Sequence, residues 1–237
     1  MIDILHRDEF LIVVSKPAGR IVVPGRAGAA AAERSLRDEV ADQIGARVFV
    51  VHRLDRGTSG ALAFALSADA HRALSLAFER HQVDKRYWAL CRGTLVGGGE
   101  VDLPLFPVRG GRMRAARPGE GGGKPSRTSW RALERLGPFT AVEFRPRTGR
   151  LHQIRVHAAA LGHPLAVDPG YGGAAALRAR DLHPTGDDAL VVDRLTLHAA
   201  SLRLSHPLTG APLEIEAPLP PDLTAAVALL RRRPVGE

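Results

Sequence analysis

Short apolar runs closed by turn residues constrain this chain more than any other feature. The clearest case is residues 47–66, "RVFVVHRLDRGTSGALAFAL", where two strand-like segments flank a tight loop. Val and Phe suit a pleated, half-buried surface. Gly57-Thr58-Ser59-Gly60 favours a turn. The same pattern recurs upstream, where "FLIVVSKPAGRIVV" predicts a strand, a Lys-Pro-Ala-Gly turn and a second strand. "KRYWALCRG", "SRTSWRALERL", "FTAVEFRP" and "LTLHAASLRLSHP" predict further strands. Helical spacing marks "AERSLRDEVADQIG", with Gly45 as its C-cap, and "ADAHRALSLAFERHQV", with Ser67 as its N-cap. "RTGRLHQIRVHAAALGHP" turns into a helix-like run, and "DLTAAVALLRRR" is a short amphipathic helix with a basic tip. Residues 26–32 are expected to form a mobile Gly- and Ala-rich loop. Residues 107–125, Gly-rich and basic, are expected to be a long structureless loop, which in a compact domain is usually functional. Many strands, few helices and no regular βαβ alternation imply an α+β fold with a mixed, largely antiparallel sheet. A single domain over residues 1–237 is the expectation.

Composition narrows the function. Apolar residues make up 45% of the chain, enough for a real core. No apolar run approaches the roughly 20 residues that span a bilayer. "MIDILHRDEF" carries charges where a signal peptide would not, so a cytoplasmic protein is expected. Cys91 is the only cysteine, which rules out an internal disulfide and disfavours a Cys-based metal site. The formal net charge is +8, and the only lysines are Lys16, Lys85 and Lys124. An excess of Arg points to a polyanionic partner, nucleic acid first, because a guanidinium forks onto phosphate and stacks on bases.

Several chemistries find no support. No Gly-x-x-x-x-Gly-Lys-Ser/Thr is present, and no Gly-x-Gly-x-x-Gly opens a helix after a strand. His152 and His157 are five apart, off the i, i+4 spacing of a helical metal site. Three stretches stand out instead. One is "HRLDRGTSG", where Asp55 lies between Arg53 and Arg56. Another is "KRYWALCRG", which holds Tyr87 beside Lys85 and Arg86. The third is "RTGRLHQIRVHAAALGHP", which clusters Arg147, Arg150 and Arg155 with His152, Gln153 and His157. Read by itself, each has a bland version: an exposed ion pair at a turn, a core aromatic, a solvated basic face.

Taken together and in this order, the three stretches resemble the RluA-type family of RNA pseudouridine synthases. The family signature His-Arg-Leu-Asp-x-x-Thr-Ser-Gly is matched from His52 to Gly60. Its Lys-x-Tyr-x-Ala strand is matched by Lys85, Tyr87 and Ala89, and its Thr-Gly-Arg-x-His-Gln-Ile-Arg by residues 148–155. Gly162-His163-Pro164 and Asp168-x-x-Tyr171-Gly172 follow as the family pattern does. The resemblance covers residues 5–220. It does not extend to residues 107–125 or 174–190, and a catalytic domain without a preceding S4-like RNA-binding domain is the expectation.

The resemblance implies a reaction and a site. Uridine in rRNA or tRNA would become pseudouridine: the bond from N1 to C1′ breaks, the base turns, and C5 bonds to C1′, with no cofactor and no metal. Asp55 would be the nucleophile, Arg155 its paired cation, and Tyr87 either a face for the uracil or a proton acceptor. Attack by Asp55 at C6, attack at C1′ and a glycal-type route all remain open. A projecting loop suits a base that must leave its stack, with an Arg plane free to stack on the bases it leaves. The substrate RNA is expected to meet His52, Arg53, Arg56, Thr58, Lys85, Arg150, His152 and Gln153. RNA is the expected partner and the protein is expected to be a monomer with no membrane attachment. The competing reading is a catalytically inactive RNA-binding or RNA-folding protein of the same fold.

Overall fold

A computed structural model describes residues 1–24 and 33–232; the Gly- and Ala-rich stretch expected as a loop at 26–32 lies outside the described residues. In chain order the elements are β1 (Asp3–Arg7), β2 (Leu11–Lys16), α1 (Leu36–Ile44), β3 (Phe49–Val50), β4 (Ser59–Ala65) and α2 (Ala68–Glu79). There follow β5 (Asp84–Arg92), β6 (Gly98–Asp102), β7 (Leu105–Val108), β8 (Arg112–Ala115), β9 (Arg127–Leu136), β10 (Phe139–Pro146) and α3 (Gln153–Ala160). The chain ends with β11 (Leu177–Arg178), α4 (Ala179–Leu182), β12 (Leu190–Val192), β13 (Leu197–Ser205), β14 (Pro212–Glu216) and α5 (Pro221–Arg231). The fold is α+β. The chain forms two compact units, one of Met1–Lys85 with Ala199–Pro218, the other of Arg86–His198 with Leu219 onward.

The first unit orders its strands β1-β2-β4-β13-β14, with β3 also beside β4. β1 and β2, β2 and β4, and β13 and β14 pair antiparallel. β4, "SGALAFA", is buried along its whole length, as a strand covered on both faces must be. Its Ala61, Ala63 and Ala65 pack with Leu11, Val13, Leu74 and Leu202 in one core. Ser67 caps α2 by accepting from the Ala70 N–H at 3.2 Å, and Gly45 ends α1 in the left-handed region at φ 66°. The strand predicted at "RIVV" does not form. Instead the carbonyls of Ile21 and Val22 accept the Leu36 and Arg37 amides at the start of α1, so they are spent on a helix end and not on a ladder.

The second unit orders its strands β5-β10-β9-β6, all antiparallel. Leu90, Phe139, Leu177, Leu182, Val192 and the buried face of α5 form its core. Residues 174–190, which matched no family pattern, therefore supply β11, α4 and part of that core. The loop expected at 107–125 is corrected by the structure. Residues 105–115 form the β7–β8 hairpin, turned by a single 3₁₀ turn at Arg109–Gly111. Leu105 and Met113 are buried against Val156 of α3, with Tyr171 packed beside them. Two apolar anchors set among glycines and arginines fasten the hairpin to α3.

Candidate active site

In the first unit, Asp55 stands on the loop between β3 and β4. Four hydrogen bonds shape the main chain around it. The buried ammonium of Lys16, 1% exposed, donates to the carbonyls of Pro17 (3.0 Å), Arg56 (3.0 Å) and Thr58 (2.7 Å). The Thr58 N–H closes the turn onto the Asp55 carbonyl at 3.1 Å. A second strap comes from the Lys-Pro-Ala-Gly turn: the Gly19 N–H donates to the Arg56 carbonyl at 2.8 Å, and Arg56 Nε donates back to the Gly19 carbonyl at 3.0 Å. A buried ammonium requires partners for its three hydrogens, and the loop around Asp55 supplies two of these. Gly60 closes the motif for a steric reason. Its φ is +116°, and a Cβ there would lie 2.2 Å from the Ala199 carbonyl oxygen.

His52 holds the loop's entry. Its ring stacks on Phe78 with centroids 4.3 Å apart, and Nε2 accepts from the Ala63 N–H at 3.0 Å. An acceptor nitrogen carries no proton, so the imidazole is neutral. Burial, helped by the charge of Lys85, lowers its pKa to about 3. Burial also pulls the Lys85 ammonium down to about 8 against the opposing effect of Asp84. Arg53 and Arg56 are exposed, and Arg56 reaches Glu33 at 3.1 Å.

In the second unit, Tyr87 lies on β5 opposite Phe144 of β10 and is 9% exposed. The turn before α3 carries the arginine-rich motif. His152 takes a left-handed conformation at φ 56°, which redirects the chain into the helix. Arg155 forks onto Asp168: Nε donates to Oδ2 and Nη2 to Oδ1, each at 2.8 Å. Arg155 is 12% exposed and the Asp168 side chain fully buried. Bidentate geometry with both partners shielded makes this a strong pair. The Arg155 guanidinium also lies 4.8 Å above the Tyr171 ring.

Three of the residues expected to touch RNA do other work. The Gln153 side chain is buried and saturated. It accepts from Thr148 Oγ1 at 2.7 Å and the Arg150 N–H at 3.0 Å. It donates to the Arg127 carbonyl at 3.0 Å and Thr128 Oγ1 at 2.9 Å. Both donors and both lone pairs are occupied, so none is left for a base. Thr58 is likewise 2% exposed. His52 is held neutral by its internal partners, as above. These three residues are held by contacts within their own units. Arg150 Nε donates to the Pro125 carbonyl at 3.2 Å, and His152 Nδ1 lies 2.7 Å from the Tyr171 hydroxyl. Composition and spacing assigned no role to Lys16, Asp168 or Tyr171. A lone Lys ending a strand, and an acid thirteen residues beyond an Arg, carry no local signal; only the fold pairs them.

The pattern of the RNA pseudouridylate synthase family matches residues 10–160. The chain belongs to the RNA pseudouridine synthases. These enzymes isomerise uridine in RNA, and the matched stretch contains Lys16, Asp55, Tyr87 and Arg155. Among relatives, ribosomal large subunit pseudouridine synthase D of Nitrosomonas europaea is 37% identical over 98% of this chain, and this chain spans 66% of that protein's length. tRNA pseudouridine synthase C of Salmonella typhi is 38% identical over 92% of this chain and 86% of its own. The solved structure of human RNA pseudouridylate synthase domain containing 1 superposes with a TM-score of 0.73 at 27% identity, covering 100% of this chain and 97% of that one. The family thus agrees with the α+β architecture and with the three ordered motifs. No helix among the described residues is long and apolar enough to cross a membrane.

Proposed function

We propose that this protein isomerises specific uridines of ribosomal or transfer RNA, working in the cytoplasm as a monomer, with both compact units serving one catalytic domain. Asp55 is the nucleophile, Arg155 the cation that pairs with it, and Tyr87 the aromatic that meets the uracil. The observation that carries this reading is the pinning of the Asp55 loop by Lys16. Structural economy does not explain a buried lysine that spends two of its donors on one turn forty residues away. It is explained if the carboxylate must hold one position while a base is detached and turned. A carboxylate suits the chemistry because a covalent step divides one hard bond exchange into two easier ones. The C5–H proton leaves after C5 bonds to C1′, and the freed N1 takes up one proton, so the product is an isomer and no redox or group-transfer partner enters the balance. Support for an RNA partner comes from the net charge of +8 and from the relatives, which are named for both rRNA and tRNA. Pseudouridine mapping of total RNA from cells with and without the gene tests the reading. The expected result is loss of pseudouridine at one or a few positions. Identical maps would favour the inactive RNA-folding reading.

A further inference from the structure

Three contacts of the Tyr171 side chain reach different parts of the second unit. Its hydroxyl accepts the Met113 N–H of β8 at 2.9 Å. The same oxygen lies 2.7 Å from His152 Nδ1, a hydrogen bond in either tautomer. Its ring lies 4.8 Å beneath the Arg155 guanidinium. One side chain therefore joins the β7–β8 hairpin, the strained residue that begins α3, and the arginine assigned to the reaction.

The hairpin needs this joint. β7 and β8 pair with each other in a two-stranded sheet separate from the main strands. Two strands by themselves are marginal in water. The hairpin's apolar attachment is Leu105 and Met113 against Val156, and a bridge of paired amides between Leu105 and Lys124, 2.9 Å each way, ties its base. Its tip presents exposed Arg109 and Arg112, whereas Arg114 is committed to Glu120 by two bonds of 2.6 Å. Anything that draws the tip arginines acts on β8, and through the Met113 amide on Tyr171.

We infer that Tyr171 is a positioning residue that latches the arginine-tipped hairpin to Arg155, so that RNA engaged by the tip helps to set the guanidinium's place. The inference rests on Arg155 serving the reaction as proposed above. The hydroxyl and the ring have separable duties: the hydroxyl holds the hairpin, and the ring supports Arg155.

Two variants divide them. Tyr171→Phe keeps the ring and releases the amide of Met113. Trypsin cleavage after Arg109 and Arg112 should quicken about tenfold, the scale of one net hydrogen bond. KM should rise several-fold and kcat fall a few-fold, because the tip no longer acts on Arg155, with the midpoint of global unfolding little moved. Tyr171→Leu removes the ring as well, and kcat should fall at least about tenfold beyond the Phe variant. A Phe variant with wild-type trypsin rates and KM overturns the latch. A Leu variant whose kcat matches the Phe variant overturns the support of Arg155. Activity that falls only in step with the folded fraction in both variants also overturns the inference, because a purely structural residue would behave that way. Arg155→Lys assayed alongside separates the two failures. If that variant is also unimpaired, the role of Arg155 is wrong. If it is impaired while Tyr171→Leu is not, the role of Tyr171 alone is wrong.

Discussion

The loop that carries Asp55 and the helix start that carries Arg155 are built in opposite ways. The first is held through its main chain: carbonyls of Arg56 and Thr58 fold around one buried ammonium, and the Asp55 carbonyl closes the turn. The second is held through side chains: Arg155 on Asp168, Tyr171 under Arg155, Gln153 against Thr148 and Thr128. A main-chain frame fixes where an acid sits whatever its neighbours' side chains do. A side-chain frame fixes an orientation, and it can respond to whatever touches its outer members. The difference suits a nucleophile that must not move and a cation whose placing can depend on bound RNA.

The largest effect on stability should come from Lys16. Lys16→Met fills similar space and removes a donor from the carbonyls of Pro17, Thr58 and Arg56, of which only that of Arg56 keeps the Gly19 N–H. Unfolding by urea should show a loss of at least about 2 kcal/mol, since buried unsatisfied acceptors cost about 1–3 kcal/mol each. A variant within about 0.5 kcal/mol of wild type would mean that the main-chain frame does not depend on Lys16.

The side-chain frame is probed by Arg155→Lys. An ammonium cannot reproduce two parallel hydrogen bonds to Asp168 or lie flat on Tyr171. Single-turnover rates should fall by at least about 100-fold, roughly 2.7 kcal/mol of activation, with RNA retention on filters little changed. A near-normal rate would show that charge alone suffices there, and Arg150 would be the next candidate.

Acid should affect both frames with the same sign. His52 is half-buried and His157 buried, and desolvation lowers the pKa of each. His157 is bonded at both nitrogens, to Thr128 at 2.8 Å and to the Leu103 carbonyl at 3.1 Å. A histidine kept neutral in the fold binds its proton only on unfolding. Its contribution is complete above the ordinary value near 6.5 and is lost as pH falls from there toward the lowered value, about 3 for His52. For His52 the slope of about 1.4 kcal/mol per pH unit gives about 2 kcal/mol between pH 6.5 and 5. His52→Gln can still accept from Ala63 but cannot titrate. Urea titrations should show a shallower acid limb for that variant, and an unchanged limb would place the sensitivity elsewhere.

The smallest effect should come from the hairpin tip. Arg109→Ala with Arg112→Ala should raise KM a few-fold, lower kcat by no more than a few-fold, and reduce the slope of log affinity against log salt by no more than about 2. An unchanged slope would mean that the tip does not meet phosphate.

Much of this frame could be read from the residues. The caps at Ser67 and Gly45, the strands from Ser59 and Asp84, and the loop around Asp55 follow from turn chemistry and apolar spacing. The hairpin could not be read because its order depends on Val156, some forty residues from Met113, while its own composition is that of a loop. "RIVV" has the residues of a strand, but its carbonyls were needed at a helix end. Gln153 resembled an RNA contact because its type and neighbours suit one; only the positions of Thr128, Arg127 and Thr148 show that its amide is fully spent. Local chemistry announces turns and caps. It does not announce which distant groups will use up a side chain's hydrogen bonds.

The central claim is that the rigidly framed carboxylate does the chemistry. Asp55→Asn keeps the shape of the side chain, leaves the main-chain bonds to Lys16 and Thr58 intact, and removes the nucleophile. Single-turnover assay on a substrate RNA, with binding followed in parallel, is the most direct test. The expected result is no pseudouridine formed, with RNA affinity within about tenfold of wild type because one charge among many phosphate contacts has changed. Measurable turnover by a variant free of back-conversion to Asp would contradict the account.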